Sequence, residues 1–305
     1  MSTSAAQIDT LESLEYRLKT ILPAQYQECY NEVQPKSMGS AGLKYDRHGA
    51  VAWDQMWATF CDLALAGGPP HKGTLLLPGT QSEIAADPER YRMVTEEICR
   101  GIGMVTDLTA SPSPTPGWLE VDCGLTRAAE WLVRAITVEN VAARQQGAIL
   151  NLPAGAHYRL EKEIKNVITV MAKTCHYWFD HVPLAQERAI GDLFEKVSLL
   201  QPTHLGHDFN PATHAPLAAS IATTIESSTA LKPSPLTYPG WQGIVFPNVR
   251  AAIWTMRALV ASGALSRREE NTLFLPVNPT SDPSGNRITQ LFTHIHTLAT
   301  QQGLL

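Results

Sequence analysis

The chain has 305 residues, 44% of them hydrophobic and 17% charged, with a formal net charge of -5. That is the composition of a globular protein, long enough for one large core or two domains. An acidic balance with no basic, aromatic-interleaved run argues against nucleic acid as a partner, and no apolar stretch nears the roughly 20 residues of a membrane-spanning helix. The first residues, MSTS, carry neither a basic n-region nor an apolar h-region, so a cytoplasmic protein is expected. Cys29, Cys61, Cys99, Cys123 and Cys175 are odd in number and widely spaced, with no C-x-x-C. Neither a disulfide framework nor a cysteine zinc site is therefore expected, and Cys61, Cys99 and Cys175 read as small buried hydrophobes on helices.

In chain order, Asp9 and Glu12 suggest a capping box for a first helix whose apolar stripe is Ile8, Leu11, Leu14, Leu18 and Ile21. Residues 35–42 read as a linker. Strand candidates follow at 43–45 and 74–77, with a helix between them over 52–66 that would bury Trp53, Trp57, Phe60 and Ala64. Asp87-Pro88-Glu89 is a helix start: a side-chain cap, a proline at the first helical position and an acid at the positive dipole end. Strands at 118–123 and 148–152 alternate with helices at 126–141 and 161–178. Strands at 243–246 and 272–275 alternate with helices at 249–259 and 285–301.

The second and third of these groups match each other in sequence. Residues 118–153 align without a gap to 241–276, pairing Trp118, Arg127, Trp131, Arg134, Arg144 and Pro153 with Trp241, Arg250, Trp254, Arg257, Arg267 and Pro276. A match at fixed spacing is the mark of duplication. Strands alternating with helices imply parallel or mixed pairing through crossovers. The expected fold class is therefore α/β or α+β with three βαβα units, the first diverged. The expected organisation is an N-terminal helix and linker (1–40), units at 41–110, 115–179 and 239–305, and an inserted helical, histidine-rich segment at 180–238.

Residues shared by both copies serve folding, which makes Trp118, Trp131, Trp241 and Trp254 core candidates. Residues peculiar to one copy are better places to seek a site. In the loop 67–73 (GGPPHKG), His71 and Lys72 place a titratable ring beside a fixed charge, although glycine and proline are also what a helix stop requires. On the helix 161–178, Lys162, Asn166, Thr169, Lys173 and His176 fall on one face at steps of four and three. That ladder, with Lys165 nearby and Arg134 from the duplicated pair, could hold a small anionic molecule. His71 and His176 would move protons, although a polar stripe is more commonly a solvated face. His204, His207 and His214 with Asp208 offer metal-ligand chemistry on a loop, without the spacing of a zinc signature. No G-x-S-x-G, H-E-x-x-H or helix-opening G-x-G-x-x-G occurs, so the sequence names neither a cofactor nor a reaction. The leading expectation is a cytoplasmic enzyme acting on a small anionic metabolite. The rival is a non-catalytic scaffold or cofactor-maturation partner, with a homo-oligomer or a protein partner left open.

Overall fold

Two hairpins joined by a helix form each half of the structured chain, and the inner strands of the two hairpins pair. The structure is a computed structural model describing residues 10–27, 42–57 and 60–305. It opens with α1 (Leu11–Ile21), capped by the Thr10 hydroxyl, which accepts from the Ser13 N–H. Leu14, Leu18 and Ile21 are its buried stripe; Ile8 and Asp9, like Cys29 and the linker residues 35–41, lie outside the described residues. A short α2 (Gln81–Ala86) precedes α3 (Pro88–Thr106). Asp87 caps α3 by accepting from the Arg90 N–H, with Pro88 at the first helical position, where its missing N–H costs nothing.

The first sheet is built from β1 (Thr109–Pro112), β2 (Trp118–Asp122), β3 (Arg144–Gln146) and β4 (Ile149–Pro153) in the order β1-β2-β4-β3, all antiparallel. The helix α4 (Thr126–Val138) connects its hairpins and α5 (Lys165–His181) follows it. After α6 (Leu184–Lys196), the sequence of elements recurs. It runs α7 (Pro211–Thr229), β5 (Lys232–Tyr238), β6 (Trp241–Val245), α8 (Val249–Ala261), β7 (Arg267–Glu269), β8 (Thr272–Pro276) and α9 (Asn286–Gln301). The second sheet has the order β5-β6-β8-β7. Trp118 pairs with Pro153 in one sheet and Trp241 with Pro276 in the other. Trp118 and Trp131 are fully buried, and Trp241 and Trp254 nearly so.

This architecture corrects the expected fold class. The sheets are antiparallel, and the chain is not three βαβα units. Two features conceal the difference in the sequence. The edge strands β3 and β7 are three polar residues each, RQQ and RRE, turned back through Gly147 and Glu270 at positive φ. The outer strands β1 and β5 contain prolines, which an edge strand tolerates because its outward N–H groups need no partner. Residues 41–110 form no unit of their own. Residue 45 makes only an isolated bridge to Val51, and residue 76 a bridge to Val141. In 52–66 the described residues form two short 3-10 turns, Trp53–Gln55 and Ala64–Ala66, where a helix was expected. The helical spacing of its aromatics instead serves a stack: Trp57 lies 6.4 Å from Trp53 and 6.3 Å from Phe60, ring to ring. The segment 180–238 is not simply inserted, because it supplies α7 and β5 to the second half.

Matching backbone bridges also tie a segment entering each half to the chain just after its central helix. Leu76 N–H donates to Asn140 O and Ala142 N–H to Leu76 O; Leu200 N–H donates to Gly263 O and Leu265 N–H to Leu200 O. Gly117 and Gly240, at φ 92° and 81°, make the turn before β2 and β6. A Cβ on Gly117 would sit 2.6 Å from Gly79 O, and one on Gly240 2.1 Å from Thr203 O, so only glycine lets the passing backbone through. The two halves share one core, and α1 packs across both. The Trp131 indole N–H donates to Ile21 O at 2.8 Å, while Arg17 donates to Ser262 Oγ at 3.1 Å. No helix of the described residues is long and apolar enough to cross a membrane.

Trp131 joins α1, α4 and α5 at once, its ring 5.3 Å from Trp178. Trp131→Ala is expected to lower unfolding free energy by about 3–5 kcal/mol, through lost transfer energy plus the cavity left behind. A urea titration showing a loss under about 1 kcal/mol would contradict its place at that junction.

Candidate functional site

Residues 60–72 cross the polar face of α5, and nearly every polar group along that crossing is engaged. At its centre lies a fully buried ion pair: Lys173 Nζ stands 2.8 Å from Glu139 Oε1, both side chains 0% exposed. Lys173 also donates to Cys61 Sγ at 3.1 Å. Glu139 caps the C-terminus of α4. A carboxylate there faces the negative end of the helix dipole, so it needs compensation. Besides Lys173 it accepts from the Ala64 N–H at 3.0 Å and the His71 N–H at 2.8 Å. Burial works against the Lys173 ammonium, but the Glu139 charge, aided by Cys61, outweighs it and holds the lysine above its ordinary value.

Asn140 follows in the left-handed region, at φ 61°, where asparagine is tolerated. Its amide donates to Lys72 O and Arg268 O, both at 2.8 Å, and its oxygen accepts from Arg267. These bonds fix the loop that carries His71. His71 Nε2 meets Asn166 Oδ1 at 3.0 Å; with that oxygen accepting, Nδ1 is the basic nitrogen. Burial pulls the imidazole below the usual histidine value despite Glu139, leaving it neutral at pH 7.

Toward the C-terminus of α5 the crossing opens into a groove of about 550 Å³, lined by Trp57, Phe60, Met104, His176, Phe179 and three acids, Asp54, Asp107 and Asp180. His176 Nδ1 bonds Asp180 at 2.7 Å, and its Nε2 meets His181 Nε2 at 3.1 Å. The Phe60 ring packs 5.3 Å from His176. Below, Tyr26 OH donates to Asp62 at 2.8 Å and lies 2.9 Å from Tyr177 OH, which contacts Cys61 O.

The structure thus brings His71, Asn166, Lys173 and His176 onto one seam. Thr169 is also on this helix, its hydroxyl turned back onto Lys165 O. Lys162 is exposed on the π-helical turn Leu160–Ile164 that leads into α5; Lys165 and Lys72 are half-exposed at the same end. Arg134 is elsewhere: it is buried under α6, stacked 3.6 Å from the Phe194 ring and donating to Glu130 O, and burial pushes its pKa down to about 9. His204 is buried with Nε2 on Ala143 O at 3.0 Å, His207 bonds Arg144, and His214 on α7 packs against Phe209. Among the described residues no group of three His, Cys, Asp or Glu is arranged to hold a metal ion.

Sequence reasoning missed Cys61, read as an apolar core residue on a helix, and Glu139. The signal for Glu139 was present in the internal match, where Glu139-Asn140 stands against Ser262-Gly263. A comparison with protein-family models, curated proteins and solved structures finds no match for this chain.

Two outcomes follow from these environments. Lys173→Met leaves Glu139 buried and uncompensated and is expected to cost about 3–5 kcal/mol, only part of it recovered by adding Glu139→Leu, which strands the Ala64 and His71 N–H groups. Because the folded-state pKa of Lys173 is raised, its contribution is complete below the ordinary lysine value of about 10.4 and is lost as pH rises through the folded value. Urea denaturation of the wild type and the double variant across that range should therefore diverge. His204 has the opposite sign: burial pushes it down to about 4, so stability is lost as pH falls from about 6.5 to that value. His204→Asn should flatten this acid limb in urea denaturation measured across that range.

Proposed function

We propose that the seam is the active site of an enzyme that attacks a small anionic substrate through the Cys61 thiol. The carrying observation is the Cys61–Lys173–Glu139 contact. Stability alone gives little reason for it, since a buried ion pair can commonly be replaced by apolar residues without loss. Perturbed, buried titratable groups gathered with a nucleophile are the pattern of catalytic sites. In this reading the Cys61 thiol gives up its proton to His71, directly or through water, as its sulfur adds to an electrophilic carbon doubly bonded to oxygen, whose π electrons move onto that oxygen. Lys173 meets the negative charge that develops during attack, and Glu139 positions Lys173. His71, neutral at pH 7 and oriented by Asn166, exchanges protons with the substrate or with water.

The anionic part of the substrate belongs at the His71 end. There Lys72, Lys162 and Lys165 lie at the start of α5, where their cationic side chains favour negative charge. The other end, with Asp54, Asp107 and Asp180, repels an anion and suits an apolar or cationic leaving portion. A non-catalytic protein that docks a partner draws on one observation, the exposed Phe179 and Met104 beside that groove.

Labelling separates the readings. Under limiting chloroacetamide, followed by peptide mass spectrometry, Cys61 should alkylate before Cys99, although Cys99 is the more exposed. Glu139→Gln should slow Cys61 labelling by about tenfold or more without changing that of Cys99. Labelling of Cys99 first, with Cys61 inert, sinks the nucleophile and favours the partner-docking protein.

A further inference from the structure

A second cavity, of about 280 Å³, opens on the first sheet, away from the groove, and is lined in part by Thr115, Glu120, Arg144, Gln146, Asn151 and His207. Its meaning comes from the second sheet. In the first sheet Asn151 is paired with Glu120 on one side and Arg144 on the other; in the second, Phe274 is paired with Gly243 and Arg267. The two rows are equivalent across the same strands.

In the second sheet this place is full. The Arg267 guanidinium stacks 4.0 Å from the Phe274 ring and 4.5 Å from Tyr238, and pairs with Glu269 at 2.7 Å. Tyr238 OH donates to Glu269, and the two rings meet edge to face at 5.3 Å. Gly243 makes room for them, because a Cβ there would lie 3.0 Å from Phe274 Cε1 and 2.7 Å from Ser234 Cβ.

In the first sheet both rings are gone. Asn151 replaces Phe274, residues 114–115 stand where the chain carries Tyr238, and Gln146 replaces the acid that neutralised the arginine. The glycine is replaced by Glu120. Arg144 has no carboxylate within 4.0 Å among the described residues, and its guanidinium donates to His207 Nδ1 at 3.3 Å. Burial and the Arg144 charge hold His207 below the usual histidine value, so it does not add a cation at pH 7. Its buried Nε2 has no partner. Glu120 receives the Ser113 hydroxyl on Oε1 at 3.1 Å, which leaves Oε2 available. The result is a small cavity presenting one cation and one anion, each lacking an ionic partner.

We propose that this cavity binds a small zwitterion of the α-amino acid class, with its carboxylate on Arg144 and its ammonium on Glu120. A planar guanidinium fork matches a carboxylate, and a carboxylate accepts from an ammonium. A ligand bearing both charges satisfies the pair while adding no net charge to the cavity. It fills the space that the Tyr238 and Phe274 rings fill in the second sheet.

The test begins with thermal shift of the full chain against the twenty proteinogenic L-amino acids, singly and at millimolar concentration. The best stabiliser is then titrated by calorimetry beside its des-amino acid and its decarboxylated amine. Binding of the amino acid, with both truncated analogues weaker by about tenfold or more, is expected. Arg144→Gln and Glu120→Gln should each weaken binding to a similar degree. Glu120→Gly combined with Asn151→Phe copies the filled second sheet and should abolish binding while leaving the melting temperature unchanged or higher. Stabilisation by none of the twenty, equal binding of either truncated analogue, or binding that survives in a folded Glu120→Gly, Asn151→Phe variant would overturn the proposal. The analogue series needs no variant, so the proposal stays testable if a substitution prevents folding.

Discussion

A single carboxylate holds residues 60–72 against α4 and α5. Glu139 ends α4 on the side where a helix disfavours negative charge, and it lies wholly out of water. Such a group survives only if its environment is built for it. Lys173 comes from α5, and two backbone N–H groups come from the otherwise irregular residues 60–72. Satisfying the carboxylate therefore fixes where that segment runs. Its course in turn brings His71 to Asn166 and Phe60 to His176. Asn140 extends the same anchoring to β7, and Glu269 of that strand accepts from the Leu75 N–H at 3.1 Å. The two halves are thus coupled beside the buried Lys173–Glu139 pair.

The halves use one scaffold for different ends. At the position of Glu139 the second half has Ser262, and what meets it is Arg17 from α1. One helix end thus collects a charged cluster, and the other a hydrogen bond from α1. The sheets diverge in the same manner, one row closed by stacked rings and the other left polar. In both cases the difference lies in side chains at matched backbone positions, and the strand order does not change.

Part of this was legible from the residues. The inner strands β2, β4, β6 and β8 announce themselves through apolar runs bounded by Trp and Pro, and α3 through its Asp-Pro start. The short polar β3 and β7 carry no hydrophobic signal, and without them the pairing read as parallel or mixed. Aromatic spacing at Trp53, Trp57 and Phe60 mimicked a helix because a stack of rings can repeat at a similar interval. Spacing grouped Lys162, Asn166, Thr169, Lys173 and His176 on one face, of which Asn166, Lys173 and His176 meet residues 60–71. Periodicity says which residues share a face but not what lies opposite, so the Glu139 that occupies Lys173 was beyond its reach. Cys61 was likewise invisible, since a thiol among apolar neighbours looks the same whether or not a lysine points at it.

The position of α1 has a consequence for how the chain is made. Its stripe of Leu14, Leu18 and Ile21 is buried against helices that include α8, residues 249–261, near the far end of the sequence. During synthesis at about 5–20 residues per second, that surface emerges on the order of ten seconds or more before its full counterpart exists. For that interval the ribosome presents a short amphipathic helix with nothing complete to cover it. The apolar stripe of α1 accordingly stays uncovered until α8 has been made and the second half closes over it.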